Sequence, residues 1–207
     1  FANTGKEPYS EFYAAQVAEA MGIDHISYGL SKWKGMLCST CELFTSKDIS
    51  FVPASTLIET SKISQIVAWY DAHGWKDDLA DMLVLDAAIR NTDRHLGNFG
   101  FLVDNHTNQL LKPAPIFDNG LSLYCYVMDD DLNNLSEQEK TLSPALYANF
   151  DEVACHVMGP KQKQELRHLL TFKFKKHSRY NLGDERLKML EHAVQEKARF
   201  LLEAAQQ

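Results

Sequence analysis

Asn91-Thr92-Asp93-Arg94-His95-Leu96-Gly97-Asn98 is a polar run between two apolar ones, and Ala114-Pro115-Ile116-Phe117-Asp118-Asn119-Gly120 follows it at short range. The segment before it, from Trp75 to Ile89, carries Leu79, Met82, Leu83, Leu85, Asp86 and Ile89 close together and predicts a buried helix. After it, Phe99-Gly100-Phe101-Leu102-Val103 and Leu110-Leu111 flank a polar turn over 104–109 and predict a short hairpin. Asp93 and Asn98, five residues apart, therefore fall in a loop between a helix and a strand. The hairpin returns the chain so that Asp118 faces them, and Gly120 frees the backbone just after it.

Working outward, residues 8–21 predict a helix, with Pro8 in the first turn and Gly22 as its stop. Residues 25–44 are rich in aromatic and β-favouring types and predict two antiparallel strands turning at Lys34-Gly35. Residues 46–57 read as a connection punctuated by Pro53, and His73-Gly74 separates helices over 56–72 and 75–89. An irregular acidic stretch containing Asp129-Asp130-Asp131 follows Gly120. From about Ala145 the chain reads as helical, closing in a long helix over 184–205. A small sheet meeting a mostly helical body is an α+β pattern, without the strand–helix alternation of a doubly wound fold.

Composition narrows the classes. A chain of 207 residues with 45% hydrophobic and 24% charged residues can bury a core without staples. A net charge of -7 with no long basic run argues against direct nucleic-acid binding. No stretch approaches the roughly 18 apolar residues of a membrane span, and no signal peptide is present. Cys38-Ser39-Thr40-Cys41 is a lone CxxC with no second pair, read as small residues in a buried strand of a reduced, cytoplasmic protein.

The two polar runs carry the chemistry. Phosphoryl transfer from ATP needs a carboxylate to accept the proton of the attacking hydroxyl and hard oxygen ligands for magnesium (Mg2+). In protein kinases the catalytic Asp precedes a metal-binding Asn by five residues, and a later Asp-x-Gly supplies another carboxylate. Asp93, Asn98 and Asp118-Asn119-Gly120 reproduce that order. Each piece alone is an ordinary loop or turn. The combination is specific.

These runs resemble the HipA-type kinases, bacterial serine/threonine kinases of toxin–antitoxin modules. Those are similar in turn to phosphatidylinositol 3- and 4-kinases, which share the Asp-Arg-His-x-x-Asn order, whereas ordinary protein kinases read His-Arg-Asp. The matching residues span about thirty positions, and the element order fits the family's core. The resemblance implies a protein-kinase-like fold with a mostly helical C-terminal lobe and a remnant of the small β lobe. The expected division is a partial small lobe over 1–45 (bridging helix, strand pair and hinge) and a helical catalytic lobe over 46–207.

The resemblance also implies roles. Asp93 matches the catalytic Asp, Asn98 the metal-binding Asn and Asp118 the second metal ligand, with Arg94 and His95 supporting the loop. Glu11 falls where such kinases place the Glu that pairs with the ATP-binding Lys, although a solvated helix Glu is its ordinary reading. Glu42 to Phe44 fall at the hinge that offers backbone groups to adenine. One departure stands out: no Gly-rich phosphate loop and no strand Lys precede the first helix, and Gly5-Lys6 lies too close to Glu7 and Pro8 to supply them. Much of the small lobe is therefore expected to be missing from these residues, so that alone they bind magnesium-ATP weakly and transfer negligibly, with activity restored when the missing segment is fused or added in trans.

The expected substrate is a protein Ser/Thr hydroxyl, and the expected partner an antitoxin or regulator protein. The Asp-Arg-His order does not choose the acceptor, so a lipid or small-molecule kinase is the alternative within the enzyme class. A non-catalytic kinase-like interaction module is the alternative outside it.

Overall fold

The computed structural model describes residues 5–205, apart from the side chain of Ser136; residues 1–4 and 206–207, the outer ends of the two expected lobes, lie outside it. Helix α1 (Glu7–Met21) has Pro8 in its first turn and ends on Gly22 at φ 80, a left-handed cap that a residue without Cβ adopts freely. Its Tyr13, Ala14, Val17, Ala18 and Met21 are buried. Strands β1 (Gly29–Trp33) and β2 (Met36–Thr40) form an antiparallel hairpin. Lys34 and Gly35 between them both have positive φ, the turn that matches strand twist.

The expected connection over 46–57 instead contains strand β3 (Ile49–Pro53) and the single turn α2 (Ala54–Leu57). Pro53 does not interrupt this strand, because it is the last residue of an edge strand and owes the ladder no donor. Helix α3 is shorter than expected (Ile63–Ala72). Ahead of it, the Thr60 hydroxyl accepts a hydrogen bond from the Lys62 N–H, the local bonding with which Thr competes against helix.

Helix α4 (Lys76–Ile89) is buried at every position from Leu79 to Ile89, as befits a helix enclosed by the core. Strands β4 (Gly100–Asp104) and β5 (Leu110–Pro113) then complete a sheet of order β3-β4-β5. Gly100 is required there, since a Cβ would stand 2.1 Å from the Val52 carbonyl oxygen.

The acidic stretch is ordered rather than irregular: a 3-10 helix (Asp129–Asn134) leads into α5 (Leu135–Glu139). Acidic side chains in a first helical turn face unpaired N–H groups favourably, and Leu132 anchors the turn in the core. Helices α6 (Phe150–Val157), α7 (Pro160–Arg167) and α8 (Asp184–Ala204) follow. Residues 172–183 are not helical as expected. They wrap α1, where the Tyr13 hydroxyl donates to Asn181 (3.0 Å) and Gln16 exchanges bonds with the Lys175 backbone (3.1 and 2.8 Å).

Cys38 lies in β2 but is only half-buried, and Cys41 lies beyond the strand and is exposed, so the buried-strand reading fails for this pair. The reason is that one face of a lone two-stranded hairpin leans on α1 and the other meets solvent. Among the described residues no helix is long and apolar enough to cross a membrane.

Candidate active site

The site is assembled by Arg94. Its Nε and Nη2 hold the two carboxylate oxygens of Asp86 on α4, each at 2.9 Å. Nη1 donates to the backbone carbonyls of Asn98 (3.0 Å) and Phe117 (2.7 Å), and Nη2 also reaches Asn119 Oδ1 (2.6 Å). All five N–H groups of the guanidinium are thereby used. Helix α4, the 91–98 loop and the 117–119 loop are pinned to one buried cation. Asn91 joins them, donating to Asp86 (3.1 Å) and accepting from the Asp93 N–H (3.2 Å).

Within the loop, the Asn98 side-chain amide donates to the Asp93 carbonyl (2.7 Å), and its oxygen accepts from the His95 N–H (3.0 Å). That oxygen retains a second lone pair. His95 is exposed, and its Nδ1 accepts from the Gly97 N–H (3.0 Å), closing the turn. Among the described residues, neither the Asp93 nor the Asp118 carboxylate is engaged in a hydrogen bond or ion pair. Asp118 is exposed and stands at φ 58, a left-handed conformation that Asp tolerates better than most residues.

The Asp118 loop is held from several sides. The Ile116 N–H donates to the Asp24 carbonyl (3.0 Å) and the Ile26 N–H to the Ile116 carbonyl (2.9 Å), zipping the loop's approach to the chain leaving α1. The Tyr28 hydroxyl accepts from the Asp118 N–H (3.3 Å). Glu11 accepts from the Asn119 N–H (2.9 Å). Burial and then the neighbouring Asp118 charge push the Glu11 carboxyl up to about 7, against the lowering by its backbone bond and by Arg94. The sequence expectation paired Glu11 with a lysine. Among the described residues it contacts the Asp118 loop instead, because α1 packs directly against that loop.

A cavity of about 650 Å³ lies between β2 and this loop, bounded by Met36, Leu37 and Ser39 on one side and Glu7, Glu11, Asp118 and Gly120 on the other. Phe44, expected at the hinge, packs with Phe51 and Phe117 (ring centroids 5.8 and 5.4 Å from its own), so the β2–β3 connection touches the residue preceding Asp118. Glu42 is exposed in the same connection. Sequence reasoning missed Asp86, Asn91, Asn119 and Tyr28. An acid amid the apolar run of α4 was the available signal for Asp86.

The donor set fits magnesium: an amide oxygen and a carboxylate are hard ligands, and that ion is usually held by one or two carboxylates plus substrate phosphates. Among the described residues no group of three or more His, Cys, Asp or Glu could hold an ion. A metal here therefore draws further ligands from phosphate and water.

The architecture is kinase-like. The crystal structure of the Helicobacter pylori proinflammatory kinase CtkA superposes with a TM-score of 0.71 over 97% of this chain and 82% of that one, at 19% identity. In sequence, the chain is 27% identical to the Helicobacter pylori serine/threonine-protein kinase CtkA in an alignment 132 residues long that covers 56% of this chain and 40% of that protein. The chain thus matches well under half the length of that curated relative. No family model matches it.

Proposed function

We propose that the protein is an ATP- and magnesium-dependent phosphotransferase of the HipA-like type that phosphorylates Ser/Thr hydroxyls of a protein. The observation that carries this reading is the Arg94 hub, which draws the Asp93–Asn98 loop and the Asp118 loop against one buried anchor. Asp93 orients the acceptor hydroxyl and takes its proton, a role suited to a carboxylate with no hydrogen-bond or ion-pair partner among the described residues. Asn98 and Asp118 hold magnesium against the nucleotide phosphates, where it offsets the charge developing on the transferred group. Arg94 and His95 keep the loop in shape, Glu11 steadies the Asp118 loop, and the backbone around Glu42 and Phe44 borders adenine.

A protein acceptor is favoured over a lipid or small molecule by the likeness to a relative named as a serine/threonine-protein kinase. The division into a small lobe over 1–45 and a catalytic lobe over 46–207, a cytoplasmic location, and an antitoxin or regulator as partner belong to the same proposal. Labelled ATP offered to the protein supplied with an intact small lobe, with a casein-type protein, a phosphoinositide and an aminoglycoside in parallel, tests it. Asp93-dependent label on the protein alone is expected; label confined to lipid or aminoglycoside would reassign the acceptor, and none at all would leave a non-catalytic module.

A further inference from the structure

A second cavity, of about 630 Å³, opens between α8 and the segment formed by the 3-10 helix (Asp129–Asn134) and α5. Its size is that of small-molecule sites, roughly 300–1,000 Å³. Met189, Ala193 and Phe200 recur at helical spacing along α8 and line it together with Leu132 and Leu135. Phe200 leaves 48% of its surface in solvent, a large apolar side chain standing at a rim rather than in the core.

The carboxylates lining this cavity are already compensated. Glu139 is held by Arg90 and by Lys197 (2.6 Å), and Glu196 by Arg199, with His192 4.0 Å away. Lys197 is taken as well, between Glu139, Asp151 (3.2 Å) and the Phe200 ring (4.8 Å to its centroid). Lys188 is the exception. It is exposed, and its ammonium makes no hydrogen bond or ion pair among the described residues. Asp184, one turn before it, is bonded to Lys176 (2.5 Å). The cavity thus joins an apolar lining to an uncompensated cation.

The Tyr124 wall is pinned. Leu123 and Tyr124 stand at φ 49 and 53, left-handed conformations that bulky side chains rarely adopt. Residues held this way gather at ligand clamps and switches. The Leu123 N–H donates to the Ile89 carbonyl (2.7 Å), and the Tyr124 carbonyl accepts from the buried Arg186 (2.7 Å). Arg90, which grips Glu139, also grips Asp151 (2.8 Å) and directly precedes Asn91, the residue that accepts from the Asp93 N–H.

We propose that this cavity is an effector site for a small molecule with an apolar body and a single carboxylate. The body lies on Met189, Phe200 and Leu132, the carboxylate meets Lys188, and occupancy reaches the catalytic loop through Glu139 and Arg90. A neutral or cationic ligand would leave the Lys188 charge unmatched. Transmission requires the ligand to favour one arrangement of Glu139 over another, and Glu139 is the lining residue that Arg90 and Lys197 share. Binding here does not rest on the kinase reading, because neither Asp93, Asn98 nor Asp118 lines the cavity.

The probe is decanoate, titrated into the protein and followed by calorimetry and by backbone amide signals in NMR spectra. Decanol and decyltrimethylammonium serve as its neutral and cationic counterparts. Saturable decanoate binding is expected, with shifts at Leu132, Met189 and Phe200 and further shifts over residues 91–98. Both counterparts should bind more weakly. Lys188→Glu, a change at an exposed position, should weaken decanoate about fivefold or more, the upper range for one solvent-open ion pair, and leave decanol unchanged. Ala193→Leu, which fills the cavity, should weaken all three probes. Equal affinity for decanoate and decanol, or decanoate binding indifferent to Lys188→Glu, overturns the carboxylate assignment. Absence of saturable binding overturns the site. So does concentration-dependent dimerisation that shifts the same amides without probe, which would give this face to a second copy of the chain. Binding that leaves residues 91–98 unshifted overturns the effector role.

Discussion

Arg94 grips both carboxylate oxygens of Asp86 at 2.9 Å, with neither side chain exposed to solvent. Removing one partner of such a pair leaves a buried charge without compensation, which costs about 3–5 kcal/mol. Asp86→Ala should therefore lose that much unfolding free energy in urea titration. Arg94→Lys should also destabilise, since a lysine keeps the charge but not the planar fork that serves five acceptors. A loss below about 1 kcal/mol in either variant would contradict the hub.

Asp93 should behave differently. Its carboxylate makes no hydrogen bond or ion pair among the described residues, so Asp93→Asn is expected to leave the unfolding midpoint in place. Turnover should fall about a hundredfold or more, the scale for losing a positioned proton acceptor. ATP affinity should change little. Near-parental turnover would remove Asp93 from the reaction.

Asp118→Asn keeps the side-chain size and the tolerance for φ 58 while removing the charge. It should weaken nucleotide binding in the presence of magnesium far more than in its absence, as read by calorimetry. Manganese should substitute in the parent protein, because it accepts oxygen ligands in the same octahedral geometry. Equal magnesium-ATP affinity in both proteins would place the metal elsewhere.

Glu11 makes stability depend on pH in the metal-free protein. Its carboxyl sits at about 7 in the fold against an ordinary 4.5, so the folded chain holds this proton more tightly than the unfolded chain does. Its contribution is fully present below about pH 4.5 and is lost as pH rises through about 7, by up to about 3 kcal/mol. Glu11→Gln, neutral throughout, should be more stable than the parent at pH 8 and should flatten the slope between pH 5 and 8. A parent protein with equal or greater stability at pH 8 than at pH 5, after allowance for other groups through the variant, would refute the assignment.

Much of this was legible along the chain because the signals are local. The hairpin turn at Lys34-Gly35, the Gly22 cap of α1, the apolar run of α4 and the order Asp93, Asn98, Asp118 each depend on a few neighbouring residues. The misses share one cause. Pro53 ends a strand because β4 supplies a ladder on one side only, and residues 172–183 stay non-helical because α1 offers them bonds that a helix would forgo. Neither β4 nor α1 is a sequence neighbour of the element it controls.

The sequence by itself determined which side chains could do chemistry: oxygen ligands at Asn98 and Asp118, a carboxylate at Asp93, and a spacing matched to phosphoryl transfer. Side-chain type and loop length are covalent facts, and they suffice for that. Only the tertiary structure decided that Arg94 supports the loop through Asp86 rather than from the surface. It also decided that Glu11 accepts from the Asn119 N–H. Those outcomes depend on desolvation and on contacts between residues far apart in the chain, and both arise only when the whole core closes around α4.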